Sequence, residues 1–249
     1  NFTFIPMLSK PQANWKGDGR YKEPTDIEDR MLPELPQSWV WASAEAVCKS
    51  VRDGTHDTPE YVEKGVPLVT SKNLLPTGLD FENTKLISIE DHEEISKRSA
   101  VDDGDILFAM IGTVGNPVVV RTDREFSIKN VGLFKKNDKY LVPEYLKLWI
   151  ESPVLNKWLT PKLKGTTQKF APLGLLRAIT VALPPYDEQR NIVGEVERRL
   201  SVVEELEKEV TANLQRAERL RHSILQQAFS GGFSVAALRS PKLFPMASG

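Results

Sequence analysis

Hydrophobic and polar positions follow one pattern up to residue 185 and another after it. Between residues 36 and 185, short β-branched or apolar runs are bounded by Gly, Pro, Asn or Asp, which predicts strands. Two segments with helical spacing, 89–98 and 143–158, predict helices. Because strands and helices do not alternate regularly, we expect an α+β domain and not a doubly wound sheet. The predicted strands are 38–42, 66–70, 85–89, 106–110, 118–121, 131–135 and 178–183.

After Pro184 and Pro185, the pattern predicts a single long helix over 186–229. Its apolar residues recur at steps of three or four and form one narrow stripe among charged positions, which is typical of a coiled-coil-type helix that needs one or two partner helices. At 1.5 Å per residue the helix extends about 65 Å. We call this stripe the seam; it consists of Val196, Leu200, Val203, Leu206, Val210, Leu214, Ala217, Leu220 and Ile224, with Ala228 at its end.

Charge along this helix changes sign from one half to the other. Residues 187–209 contain 8 acidic and 4 basic side chains, and residues 210–228 contain 1 acidic and 3 basic. Such a gradient favours pairing with a similar helix that runs antiparallel. It also suits the helix dipole without any partner, so both interpretations remain open.

The remaining segments complete the predicted organisation. Residues 1–35 show little periodicity and many turn formers, which predicts an N-terminal arm before a domain over 36–185. Ser230, Gly231 and Gly232 are expected to stop the helix and begin a tail over 230–249. The chain begins with Asn1 and not with Met, which suggests that it is trimmed.

Composition excludes several protein classes. Hydrophobic residues make up 40% of the chain, yet no apolar run approaches the roughly 18 residues that a membrane span needs. No signal peptide is apparent, and the single cysteine, Cys48, excludes an internal disulfide framework or a Cys-rich zinc site. We therefore expect a cytoplasmic protein with no membrane association.

The formal net charge of −1 hides an uneven distribution. Residues 36–119 contain 7 Lys and Arg against 14 Asp and Glu, whereas residues 120–185 contain 12 against 5. A basic block inside a neutral protein indicates a local anionic partner. The alternative is a solvated face that is rich in lysine.

Motifs for catalysis are incomplete. "LPPY" at 183–186 resembles the Asn/Asp-Pro-Pro-Tyr/Phe motif of amino-group DNA methyltransferases, but Leu183 cannot grip an amine. No Asp/Glu-x-Lys triplet of metal-dependent nucleases occurs, and "GTVGNP" at 112–117 lacks the Lys-Ser/Thr of a P-loop, so a turn is predicted there. We expect no catalytic residue, no metal and no cofactor.

Histidine leaves one enzymatic alternative open. His56, His92 and His222 lack metal-ligand spacing. His56 lies in "DGTHDTP" with Asp53 and Asp57, and triads assemble in space, so a hydrolase site remains an alternative even though no G-x-S-x-G elbow exists.

Two polar loops are the main candidates for ligand contact. "VRDGTHDTP" at 51–59 places Thr, His and Asp in one turn, and "LKGTTQKFAP" at 163–172 offers Lys, Thr and Gln. Lysine and threonine suit phosphates, and glutamine can pair with adenine in a major groove. An ordinary solvated loop is the alternative in each case.

Six segments together resemble the specificity subunit of type I restriction-modification enzymes. They lie in the family's order, and the resemblance runs from about residue 34 to 233, although no segment is decisive alone. They are "DGTHDTP" (53–59), "GVPLVTSKNL" (65–74), "DDGDILFAMIGTVGN" (102–116), "GTTQKFAPLGLL" (165–176), "LPPYDEQRNIV" (183–193) and "LRHSILQQAFSGGF" (220–233).

The resemblance implies a non-catalytic subunit that reads a split DNA target for modification (methyltransferase) and restriction subunits. A typical member has two target-recognition domains, each followed by a long helix, and the two helices pair antiparallel. This chain has one of each, so it is either a half-subunit that pairs with a second copy or one half of a longer chain. The predicted contacts with double-stranded DNA are His56, Thr58, Lys72, Lys129, Lys164, Thr166, Gln168 and Lys169.

A coiled-coil scaffold or adaptor with a protein-binding head is the main alternative. In that interpretation the lysines are ordinary surface residues and the seam binds another protein. It predicts binding that is indifferent to nucleic acid and to salt, whereas DNA recognition predicts strong dependence on both.

Overall fold

The structure is a computed structural model that describes residues 34–230. The predicted arm and tail therefore lie outside the described residues, except for 34–35 and 230. The strands are β1 (Val40–Ser43), β2 (Ser50–Asp53), β3 (Tyr61–Val62), β4 (Val66–Thr70), β5 (Leu74–Leu75), β6 (Gly78–Leu79), β7 (Lys85–Ile87), β8 (Ile106–Ala109), β9 (Gly115–Val119), β10 (Ser127–Lys129), β11 (Val131–Lys135) and β12 (Thr180–Leu183). The helices are α1 (Ala44–Val47), α2 (Ile89–Ser99), α3 (Pro143–Glu151), α4 (Pro153–Leu159), α5 (Leu173–Arg177) and α6 (Tyr186–Phe229), with 3₁₀ turns at Ser71–Asn73 and Thr160–Lys162.

Within the described residues, contacts divide the chain into two units, 34–193 and 194–230. The first unit contains every strand described and helices α1 to α5, together with the start of α6. Strands and helices do not alternate regularly in it, and a long helix closes the described chain. The predicted α+β fold with a long C-terminal helix is confirmed.

Two four-stranded sheets form the centre of the first unit, in the orders β2-β11-β8-β9 and β10-β4-β7-β3. The first sheet is antiparallel throughout, and in the second only β10 and β4 run parallel. Two small antiparallel pairs, β1-β12 and β5-β6, complete the strands. The pairing β1-β12 joins the beginning of the described chain to the segment immediately before α6.

The sheet β2-β11-β8-β9 is buried on both faces. Successive side chains of a strand point to opposite faces, so Phe108 and Phe134 enter one apolar cluster while Leu107 and Leu133 enter the other. All four residues have no exposed surface. Burial on both faces explains why β8 and β11 are continuous apolar runs in the sequence.

The predicted helix over 143–158 is wrong as a single element. The structure breaks it at Ser152, whose backbone is extended (φ −64°, ψ 145°), into α3 and α4. A residue before proline disfavours the helical conformation, and Pro153 follows Ser152. The Ser152 hydroxyl then accepts a hydrogen bond from the Leu155 backbone N–H at 3.2 Å and caps α4.

Strand boundaries differ from the prediction by a few residues. The strand expected over 85–89 ends at Ile87, because the Ser88 hydroxyl caps α2 by accepting from the Asp91 backbone N–H at 3.0 Å. The strand expected over 118–121 begins earlier, at Gly115, and ends at Val119.

Helix α6 spans 44 residues, and its first two turns belong to the first unit. Gln189 is fully buried there. Its side-chain oxygen accepts from the Val142 backbone N–H at 2.9 Å, and its amide nitrogen donates to Tyr140 O at 2.9 Å and Pro184 O at 3.0 Å. These three bonds fix the start of the helix to the domain. None of the helices between residues 34 and 230 has a stretch long and apolar enough to cross a bilayer.

Candidate nucleic-acid interface

The turn after β2 passes directly against β10. Gly54 N–H donates to Val131 O at 2.9 Å, and Thr55 N–H donates to Ile128 O at 3.0 Å. A Cβ at position 54 would lie 2.1 Å from Ile128 O, so no residue larger than glycine fits without displacing backbone. This close approach positions the polar residues of the turn beside the end of β10.

Four polar side chains connect in this region. Asp53 is buried, and its carboxylate forms an ion pair with Arg98 through one oxygen. The other oxygen lies 3.1 Å from His56 Nε2, and His56 Nδ1 lies 2.9 Å from Asn130 Oδ1. Such partners stabilise a buried carboxylate. Asp53 therefore links Arg98 on α2 to His56 in the turn.

Asn130 has the left-handed backbone conformation, with φ of 53°. It is the single residue between β10 and β11, so the two strands join through a tight turn there. Its N–H donates to Thr55 O at 3.1 Å, and its carbonyl accepts from the Ser71 hydroxyl at 3.3 Å. Asparagine tolerates this conformation better than most residues, and these bonds fix its backbone.

Three predicted contact residues gather around the same turn. The Lys129 ammonium donates to the Thr58 hydroxyl. Lys129 pairs with Thr70 in the β10-β4 register, and Lys72 follows two residues later in the 3₁₀ turn at Ser71–Asn73. Lys72 and Thr58 are exposed, and Lys129 is half-buried. Two cations therefore lie on the segments that border the Asp53–His56–Asn130 group.

The second predicted loop is a closed hairpin. Lys164 and Phe170 exchange backbone hydrogen bonds of 3.0 and 2.9 Å. Gly165 has φ of 91°, and a Cβ there would lie 2.2 Å from Gln168 O, so glycine permits the tight turn. All residues from 164 to 170 are exposed, which presents Lys164, Thr166, Gln168 and Lys169 to solvent.

Both loops open onto one cavity of about 330 Å³, which we call the cleft. Gly112 N–H donates to Lys169 O at 3.1 Å and Ala171 N–H donates to Met110 O at 2.9 Å, so the hairpin is attached to the end of β8. The lining residues are Asp53, His56, Met110, Ile111, Asn130, Phe170, Ala171, Pro172 and Leu173. One wall of the cleft is therefore polar, and the remainder is mostly apolar.

The structure thus brings the two predicted loops to one place, although they are more than 100 residues apart in sequence. Sequence reasoning missed Asn130 and Arg98 as parts of this site. A signal for Asn130 was available, because an asparagine directly before the apolar run 131–134 is typical of a turn position. Nothing in the sequence around Arg98 indicates its pairing with Asp53.

His56 is poorly arranged for hydrolysis. Both of its ring nitrogens are engaged, one by Asp53 and the other by Asn130, so neither is directed at a serine or threonine hydroxyl. In residues 34–230, no group of three or more His, Cys, Asp or Glu side chains is placed to hold a metal ion. Cys48 is buried; burial and then the charge of Asp105 raise the pKa of its thiol, which disfavours a nucleophilic thiolate.

The seam lies on the second unit. Within the single chain its larger side chains from Leu200 to Ile224 are 47–62% exposed, and Val196 is half-buried. Seven large aliphatic side chains in one exposed stripe are unusual for an isolated helix in water. The charged residues beside them form local ion pairs, such as Arg198 and Arg199 with Glu195.

No family model matches the chain. The Escherichia coli type I restriction enzyme EcoBI specificity subunit is 29% identical over 201 residues, which cover 79% of this chain and 42% of that protein. The EcoKI specificity subunit of Escherichia coli strain K12 is 24% identical over 196 residues, covering 75% of this chain and 41% of that protein. The chain therefore spans less than half the length of these two relatives.

Two solved structures share the fold. A chain from a type I R-M system structure concerned with complex assembly and conformational transition superimposes with a TM-score of 0.62 at 21% identity, over 79% of this chain and 47% of that chain. The HsdS subunit from Thermoanaerobacter tengcongensis gives 0.54 at 23% identity, over 78% of this chain and 49% of that chain. At these identities the likeness concerns the fold.

Proposed function

Because the chain is a homologue of type I restriction enzyme specificity subunits, we propose that it is a non-catalytic DNA-recognition subunit of a type I restriction-modification complex. The resemblance carried by the six sequence motifs is confirmed by these relatives. In this proposal the domain over 36–185 reads one part of a bipartite target in double-stranded DNA. It directs modification and restriction subunits to that target.

One observation carries the proposal at the level of residues. Two polar loops from distant parts of the sequence flank a single cleft, and exposed cations lie on both of them or beside them. Lysines supply affinity for phosphates, while polar side chains such as His56, Thr166 and Gln168 can reach base edges. The loops thus offer both kinds of contact that a sequence-specific site needs.

The seam supports the proposed partner helix. An exposed aliphatic stripe on a long helix is stabilised when another helix covers it. The charge gradient along α6 favours an antiparallel partner, which is either α6 of a second copy or the equivalent helix in a longer chain. Two reading domains would then face separate halves of the DNA target.

The lysines of the hairpin provide a direct test. Replacing Lys164 and Lys169 together with glutamine is expected to weaken binding to all duplexes about equally. The slope of log K against log salt is negative, and its magnitude should decrease by about 2, because each phosphate contact contributes about 0.9. The measurement is fluorescence anisotropy of the full chain with its modification subunit, at several salt concentrations.

The matched control replaces two exposed lysines of the same basic block, Lys139 and Lys157, with glutamine. This control changes the net charge equally but is expected to leave the salt slope within about 0.5 of the wild type. Equal loss of slope in both variants contradicts a DNA contact at the hairpin. Binding by the wild type that ignores both salt and duplex sequence favours the scaffold alternative.

A further inference from the structure

The contacts of His56 with Asp53 and Asn130 determine which of its ring nitrogens carries a proton. A carboxylate that already pairs with Arg98 can only accept hydrogen bonds. His56 Nε2, 3.1 Å from the other Asp53 oxygen, must therefore carry the proton of that contact. In a neutral imidazole the second nitrogen, Nδ1, then has no proton and accepts.

Two arrangements satisfy all three side chains. If His56 is protonated on both nitrogens, Nδ1 donates to Asn130 Oδ1, which lies 2.9 Å away. If His56 is neutral, the Asn130 amide turns by half a rotation and donates one N–H to Nδ1. The neutral arrangement leaves Oδ1 and the second N–H of the Asn130 amide free.

The free Oδ1 and N–H of the Asn130 amide match the hydrogen-bonding edge of one base. An acceptor and a donor on one amide match the N6 amino group and N7 of adenine in the major groove. The Asn130 backbone is held on both sides, by Thr55 and Ser71, and its side-chain amide contacts His56 Nδ1, so both the origin of the side chain and one end of the amide are held. Ile111 and Phe170 line the same cleft with apolar surface, which reduces competition from water.

We propose that Asn130 is a specificity-determining residue that selects adenine at one position of the DNA target, and that His56, held by Asp53, is a positioning residue that fixes the orientation of the Asn130 amide. This inference rests on the proposed DNA-recognition function. It assigns base selection to a residue between β10 and β11 and gives His56 an indirect part in it.

Selection from randomised duplexes tests the role of Asn130, using the full chain assembled with its modification subunit. Asn130→Gly removes the amide and keeps the left-handed backbone accessible. It is expected to lower the preference for adenine at one position by roughly tenfold to a hundredfold, with other positions unchanged. Asn130→Asp is expected to shift that position towards cytosine, whose N4 amino group donates to a carboxylate.

A second pair of variants tests the positioning role of His56. His56→Ala is expected to relax discrimination at the same position by roughly tenfold. His56→Gln is expected to restore most of it, because a glutamine amide also offers a donor to Asp53 and an acceptor to Asn130. Asp53 keeps its ion pair with Arg98 in both variants, and the His56 side chain is 60% exposed, so the thermal unfolding midpoint should stay close to that of the wild type.

The outcomes separate this inference from the proposed function. If the wild type selects no sequence at all, the DNA-recognition function itself is overturned. If the wild type selects a sequence and Asn130→Gly selects the same one at every position, only the inference about Asn130 is overturned. Unchanged discrimination by His56→Ala, or a loss that glutamine does not restore, overturns the positioning role.

Discussion

Replacing Lys135 with methionine is expected to lower the free energy of unfolding of the domain by about 3–5 kcal/mol, since it leaves a buried carboxylate without its counter-ion. Asp105 has no exposed surface, and its Oδ2 lies 2.5 Å from Lys135 Nζ. Lys135 also donates to Asp102 at 2.6 Å and to Ala100 O at 3.1 Å. Methionine keeps most of the apolar stem of the side chain and removes the charge and the donors.

Urea denaturation of the full chain measures this loss. Lys157→Met is the matched control, since Lys157 is exposed on α4, and it should change stability by less than about 0.5 kcal/mol. A loss below about 1 kcal/mol in Lys135→Met would show that Asp105 does not depend on this ammonium. The backbone N–H groups of Asp102 and Lys136, which donate to Asp105 at 2.7 and 2.9 Å, would then suffice.

The difference in stability between the wild type and Lys135→Met is expected to depend on pH. The hydrogen bond from Lys135 lowers the pKa of Asp102 and outweighs the opposing effect of burial. Burial works to lower the pKa of Lys135, but its bonds to Asp102 and Asp105 outweigh burial and raise that pKa. A carboxyl with a lowered folded pKa stabilises the protein above its unfolded pKa, and this contribution is lost as pH falls through the folded pKa. The stability gap between wild type and Lys135→Met should therefore narrow in acid.

Placing two aspartates in the seam is expected to abolish pairing of α6. Leu206→Asp with Leu214→Asp removes two aliphatic side chains from each helix and introduces charge where a partner helix would exclude water. Burial of one leucine contributes about 1.5–3 kcal/mol, so the loss of two leucines from each of two paired copies should weaken pairing by at least about 6 kcal/mol, or more than about ten-thousandfold in Kd. Sedimentation equilibrium of the full chain measures the change in mass.

The control places two aspartates on the opposite face of the same helix, Ala212→Asp with Gln215→Asp. Charge and helix propensity change to a similar extent, but these positions lie away from the seam. The control should keep the mass of the wild type. A wild type that is monomeric at all concentrations would instead indicate that the partner helix lies in a longer chain, and the seam variants would then be tested in that chain.

Sequence alone identified the elements that burial dictates. The strands β4 and β11 were predicted with their observed ends, because both are apolar runs in the interior of the domain. The strands β3, β5 and β6 have two residues each, too few to show any period. The helix over 143–158 was predicted as continuous because apolar spacing persists across Ser152, while the local effect of Pro153 decides the break.

For the site, residue composition identified the two loops as candidates for ligand contact. It did not indicate that they lie beside the same cleft. Residue types in 51–59 and 163–172 are those that contact nucleic acids, and this information is local. That the loops share a cleft depends on hydrogen bonds from the end of β8 to the hairpin, which no spacing in the sequence encodes. The pairing of Arg98 with Asp53 and of His56 with Asn130 depends on tertiary structure in the same way.

The cleft draws its walls from widely separated parts of the chain, and this affects when it can form during synthesis. Asp53 meets Arg98 45 residues later, and His56 meets Asn130 74 residues later. Phe170 arrives later still. Contacts closed over such long loops slow folding, because chain entropy is lost before the contact is gained. A nascent chain that has not yet released residue 173 from the ribosome therefore cannot hold a complete cleft.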